Sequence, residues 1–216
     1  MKVNITIPTS LSDITLRQYK RFLKLDLEAL QGKFLNAKMI EIFCKIKLEQ
    51  VMLLKLKDSN EIIDIINKMF DSKPDLVKSF KINEVEYGFH PQLDDLSLGE
   101  YIDLDNFIGD WDNMEKAMNV LYRPITARLK DKYLIDEYKL NESELLLNMP
   151  MDAAMSAIFF LWNLGLDLSK IMTNCLDNQQ EEVLTEYLSS EKNGVGINQF
   201  MLSLKETLQD LKISLN

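Results

Sequence analysis

His90 is the only histidine in the chain, and Pro91 follows it directly after a strand-like run. Nucleophilic catalysis of the Ser-His or Cys-His kind would have to use that one residue as its base. No Gly-x-Ser-x-Gly elbow accompanies it, and neither cysteine has a second cysteine or histidine at ligand spacing. His90 therefore reads as a turn histidine. Cys44 and Cys175 lie far apart in apolar helical surroundings and read as buried thiols of a reducing compartment, since two cysteines make no disulfide framework. Seven scattered glycines build neither a Gly-x-x-x-x-Gly-Lys loop nor a Gly-x-Gly-x-x-Gly turn, which argues against nucleotide chemistry.

Charged residues make the strongest local pattern. Asp94, Asp95, Glu100, Asp103, Asp105, Asp110, Asp112 and Glu115 follow one another with no Lys or Arg between Lys81 and Lys116. Clustered carboxylates are what a hard cation requires. The spacing is wrong for a calcium loop, because a loop beginning at Asp103 would put Gly109 at the seventh place and Met114 where the closing Glu belongs. Helix capping and a partner-facing acidic surface are the better reading, with no metal and no cofactor expected. Two basic groups stand against it: Arg17, Lys20, Arg21 and Lys24 within one predicted helix, and Arg123, Arg128, Lys130 and Lys132 further on. At a pI near 4.8 any nucleic-acid contact through them would be local and weak. Asp103, Asp105, Asp110 and Asp112 on an acidic face, and Arg123 and Arg128 on a basic one, are the candidate partner-binding residues.

The elements that position these residues can be read from periodicity. With 216 residues, 46% hydrophobic and 27% charged, the chain is long enough to bury a core without staples. We expect one compact domain, with a sub-boundary at most near residues 90–96. Val3, Ile5 and Ile7 alternate with polar neighbours up to Pro8, predicting a short edge strand. Phe80, Ile82, Val85, Tyr87 and Phe89 alternate around Asn83-Glu84, predicting a hairpin near that strand. The rest reads as helix. Thr15 with Gln18 caps a first helix running to about Leu30, Ala37 to Leu48 predicts a second, Val51 to Leu56 a short piece, and Asp58 with Glu61 caps a helix ending near Ser72. Ser97 with Glu100, and then Asp110, cap two more, the latter broken at Arg123-Pro124. Pro150 opens a nearly continuous apolar helix from Ala153 to Leu164, too short to span a bilayer and so the central buried one. Helices over Gln180 to Ser190 and Asn198 to Leu215 close the chain. The fold class expected is thus mainly α, a helical body with a small antiparallel β element made of the N-terminal strand and the 80–89 hairpin.

Charge divides unevenly. Up to Phe89 there are 15 Lys and Arg against 12 Asp and Glu, and from His90 onward 10 against 22. Such a split suits either two faces with different partners or two halves, or adjacent copies, that attract each other. Eleven methionines, many on predicted apolar stripes, suit core filling and surfaces that repack against partners. The start, Met1-Lys2-Val3-Asn4, has no signal-peptide pattern, so synthesis and assembly in the cytoplasm are expected.

Several segments carry a family resemblance. Val85-Glu86-Tyr87-Gly88-Phe89, Leu98-Gly99-Glu100-Tyr101-Ile102-Asp103-Leu104, Asp110-Trp111, Lys116-Ala117-Met118, Val120-Leu121-Tyr122-Arg123-Pro124-Ile125 and Phe159-Phe160-Leu161-Trp162-Asn163-Leu164-Gly165 resemble a family encoded in the structural gene modules of crAss-like and related tailed bacteriophages of Bacteroidetes. Ile5-Thr6-Ile7-Pro8, Ile14-Thr15-Leu16 and Tyr19 are similar too, so the likeness covers most of the chain, least after Asn174. It implies a non-enzymatic virion protein, portal- or tail-associated or packaged as cargo, present in multiple copies and binding other phage structural proteins of the portal, tail or connector. A tail-assembly chaperone confined to the infected cell is the alternative, and a DNA-binding accessory protein the third reading.

Overall fold

The computed structural model describes residues 5–25, 32–130 and 132–177, with side chains of the last helix as far as residue 166. It is mostly helical with one four-stranded antiparallel sheet. Helices α1 (Leu16–Leu23), α2 (Lys33–Phe43), α3 (Leu48–Val51) and α4 (Leu56–Phe70) lead into strands β1 (Ser79–Ile82) and β2 (Val85–Phe89). Helices α5 (Leu98–Phe107) and α6 (Met114–Leu121) follow, then β3 (Tyr122–Leu129), β4 (Lys132–Ile135) and the long α7 (Met151–Asp177).

Two of the predicted capping boxes form as read. The Thr15 hydroxyl accepts from the Gln18 N–H while the Gln18 side chain accepts from the Thr15 N–H, and Ser97 and Glu100 do the same for α5. Asn83 and Glu84 both take positive φ, 48° and 69°, which is the twist a two-residue hairpin needs, and β1 pairs with β2 around them. The α4 start differs: the helix begins at Leu56, two residues before Asp58, which sits in the first turn where its charge suits the helix dipole. The short piece expected from Val51 is Leu48–Val51, and α2 runs from Lys33 and stops at Phe43 before Lys45, at φ 56°.

The sheet is the larger departure. Its order is β1-β2-β3-β4, so the hairpin is extended by the chain after Arg123-Pro124, which was expected only to break a helix. Residues 5–8 do not join it. Ile5 and Ile7 are half-buried against the core and Thr6 is exposed, so the alternation is real, but residues 5–8 make no ladder. Val3 lies outside the described residues. The N-terminal region instead pairs with the entry to α7: Leu16 N–H donates to the Met149 carbonyl (3.1 Å), and Met151 N–H to that of Ile14 (2.9 Å). The first helix, expected to run to about Leu30, ends earlier, at Leu23 with Lys24 as its C-cap. The two expected C-terminal helices and the Cys175 side chain lie outside the described residues.

Buried residues from Leu11 to Leu161 form one apolar cluster. Tyr122, fully buried, joins its parts: its hydroxyl donates to the Val77 carbonyl (2.7 Å) and the Ala153 carbonyl (3.3 Å), and its ring packs edge-on against Phe89. Burial holds that phenol well above its ordinary pKa, so it remains a donor. Met151, Ala153, Ala154, Ala157 and Ile158 on α7 are buried, as expected of the central helix, but the helix runs on past its expected end at Leu164 to Asp177.

Candidate interaction surface

Helix α5 organises the region where the acidic residues concentrate. Its start is set by Ser97, whose hydroxyl accepts from the Glu100 N–H (3.3 Å), while the Ser97 N–H donates to Glu100 Oε2 (2.7 Å). The other Glu100 oxygen, Oε1, pairs with Arg123 Nη1 at 2.8 Å, and both side chains are more than nine-tenths buried. Burial pushes the Glu100 carboxyl up, but the two Ser97 hydrogen bonds and the Arg123 guanidinium together outweigh it and hold the group below the ordinary carboxylate value.

His90 is buried beside this pair. Its N–H donates to the Leu121 carbonyl (2.7 Å), and its Nδ1 accepts from the Gln92 N–H (3.3 Å), leaving the proton of the neutral ring on Nε2. Burial and the Arg123 charge both lower its pKa, which favours that neutral form. Tyr138 donates to Asp103 Oδ2 (2.8 Å), fastening the chain after β4 to α5. His90, Glu100, Arg123 and Asp103 thus converge on a structural joint between α5, β2 and β3. Sequence spacing announced only the Ser97-Glu100 part of it. Arg123 is a correction: it was expected on a basic surface with Arg128, and it lies in the interior, because α6 runs straight into β3 and carries it toward Glu100.

Arg128 remains exposed. It pairs with Glu86 (2.6 Å) and lies over the Tyr133 ring (5.4 Å to the centroid). Asp110 and Asp112 follow the end of α5 and meet other partners than Asp103 does. Asp110 Oδ1 caps the Asp112 N–H (2.8 Å). Asp112 pairs with Lys24 on α1 (3.2 Å), and its carbonyl accepts from Lys20 Nζ (2.9 Å), which also pairs with Glu115. Two of the four residues of the first basic group, Lys20 and Lys24, are therefore spent on the second half of the acidic run. Around α5 itself Asp94, Asp95 and Asp105 remain, the Asp105 carboxyl raised by partial burial. Among the described residues no three His, Cys, Asp or Glu side chains stand close enough to share a cation.

The signal that spacing did not reveal is on the outer side of α5. Its inner side buries Glu100, Leu104 and, just beyond its end, Ile108, yet Leu98, Tyr101 and Ile102, at i, i+3 and i+4, are 74%, 38% and 48% exposed. A surface helix usually presents polar residues there. Apolar side chains gathered on one exposed helix face beside carboxylates are the composition of a binding patch with a polar rim. Further apolar exposures lie at Met52, Leu53 and Leu56 around the start of α4, and on the β3–β4 ribbon at Leu129 and Leu134. Comparison with protein-family models, with curated proteins and with solved structures returns no match. No described helix is long and apolar enough to cross a membrane.

Proposed function

We propose that this chain is a non-enzymatic protein of a tailed-phage structural module, portal- or tail-associated or packaged with the particle, that works by binding other proteins. The observation that carries the binding part is the outer face of α5, where Leu98, Tyr101 and Ile102 are held at the surface among carboxylates. Water-exposed apolar area of this kind is worth roughly 25 cal/mol per Å² to a partner that covers it. The phage context rests on the resemblance of the α5, β2, β3 and α7 segments.

The ionisable groups support binding over catalysis. Glu100, Arg123, Asp103, Asp110 and Glu115 are each tied into a cap, an ion pair or a hydrogen bond that joins two elements. The Cys44 thiol is buried and its pKa is pushed up to about 11, which keeps it protonated and unreactive near neutral pH. DNA contact is disfavoured because Lys20 and Lys24 on α1 already face Asp112 and Glu115.

Mass spectrometry of purified, washed particles of the phage encoding the chain tests this reading. The protein should be present at a stoichiometric level and cross-link to portal, tail or connector proteins. Its restriction to infected-cell lysate, with none in particles, would overturn the virion assignment in favour of a tail-assembly chaperone.

A further inference from the structure

The β3–β4 ribbon has two unlike faces. β2 pairs only with Tyr122, Arg123 and Pro124 of β3, so the rest of β3 is held on one side by β4 alone. One face of the ribbon is tied back to β2: Tyr133 donates to the Phe89 carbonyl (2.7 Å), and Arg128, its cross-strand partner, pairs with Glu86. The opposite face carries Leu129 paired with Lys132, and Ala127 paired with Leu134. Leu129 and Leu134 there are 78% and 66% exposed. Lone two-stranded ribbons are marginal in water, and exposed leucines add to the cost of leaving one uncovered.

The charge on this ribbon is opposite to that around α5. At the end of the ribbon that carries Leu129, Lys130 and Lys132 outnumber Asp131, Arg128 being turned to the other face and paired with Glu86, whereas the chain from Asp94 to Asp105 contains acids and no Lys or Arg. Each surface has the other's requirement: an apolar stripe for an apolar stripe, with cations at one rim and carboxylates at the other. We propose that the β3–β4 ribbon of one copy docks across the outer face of α5 in a second copy, so that this protein assembles with itself by an arm-to-helix contact. The proposal rests on the reading of α5's outer face as a binding surface and names its occupant. The contact joins two different patches, so it can be repeated from copy to copy and can close into a ring. The apolar stripes supply the adhesion, and the opposed charges set the pairing and make it weaken with salt.

Sedimentation of the full-length chain over a hundredfold range of concentration, at low and high salt, tests it. An arm variant, Leu129→Ser with Leu134→Ser, and a face variant, Leu98→Ser with Ile102→Ser, alter only exposed positions; circular dichroism melts establish that both fold. The wild type should self-associate, less so in high salt, and each variant should associate about tenfold more weakly or not at all. Mixing the two variants should yield a one-to-one complex, because the intact arm of one meets the intact helix of the other. A wild type that stays monomeric throughout, variants that associate like the wild type, or a mixture that stays unpaired would each overturn the proposal. A monomeric wild type whose incorporation into particles is still abolished by the face variant would sink self-docking alone and leave the binding reading of α5 standing.

Discussion

Glu100 serves two partners at once, capping α5 through one oxygen and pairing with Arg123 through the other. Removing one member of a buried ion pair leaves the other charge uncompensated, so Arg123→Ala should cost about 3–5 kcal/mol in urea denaturation. Arg128→Ala, which breaks an exposed pair with Glu86, should cost under about 1 kcal/mol in the same measurement. Equal effects would mean that Arg123 is not buried as described. The pH dependence has a definite sign. His90 has its folded pKa lowered, so the unfolded chain binds the extra proton first and stability falls as pH drops below about 6.5. Glu100, with its folded pKa also lowered, contributes stability above the ordinary value of 4.5 that is lost on further acidification. His90→Gln should flatten the urea midpoint between about pH 7 and about pH 5.5, leaving the steeper loss below it. The capping half of this joint was readable in the Ser97-x-x-Glu100 spacing. The Arg123 half was not, since its partner is distant in sequence and reached only through the unexpected strand.

At the scale of elements, β3 was concealed by Arg123-Pro124, which in isolation signals a helix end. Pro124 does stand in a strand, pairing with Tyr87, with its carbonyl accepting from the Asp136 N–H (2.9 Å) and a register shift following between Ile125 and Ala127. A bulge beside a residue that cannot donate is how a sheet accommodates proline. The opposite error occurred at Ile5 and Ile7, where alternation reports half-burial of extended chain but cannot say whether a ladder partner exists. Capping boxes and the 83–84 turn were legible because their chemistry is complete within four residues. The ribbon depends on a contact that could not be read that way: a Cβ at Gly88 would come within 2.5 Å of the Tyr133 ring. Gly88→Ala should displace Tyr133 from the Phe89 carbonyl, loosening β3 and β4. Hydrogen exchange should then accelerate over residues 125–135 while α7 keeps its protection, and unchanged exchange in the ribbon would contradict this anchoring role.

Across the whole molecule, the uneven charge has two uses. Part of it holds the chain together, since Lys20 and Lys24 of the basic half meet Asp112 and Glu115 of the acidic half. The remainder, at Asp94, Asp95 and Asp105, borders an apolar helix face. Net charge revealed neither use, because only the fold decides which charges meet inside one copy. The same holds for α5, whose apolar residues on both sides look in sequence like a buried helix. The exposure of Leu98, Tyr101 and Ile102 is what a partner would cover, and incorporation into particles of the proposed phage reads that out. Wild type and the Leu98→Ser, Ile102→Ser variant should be supplied separately during infection with phage lacking the gene, and their copies per washed particle counted by quantitative mass spectrometry. The wild type should be incorporated, and the folded variant should fall at least about tenfold below it. Equal incorporation of the two would contradict a binding role for the outer face of α5.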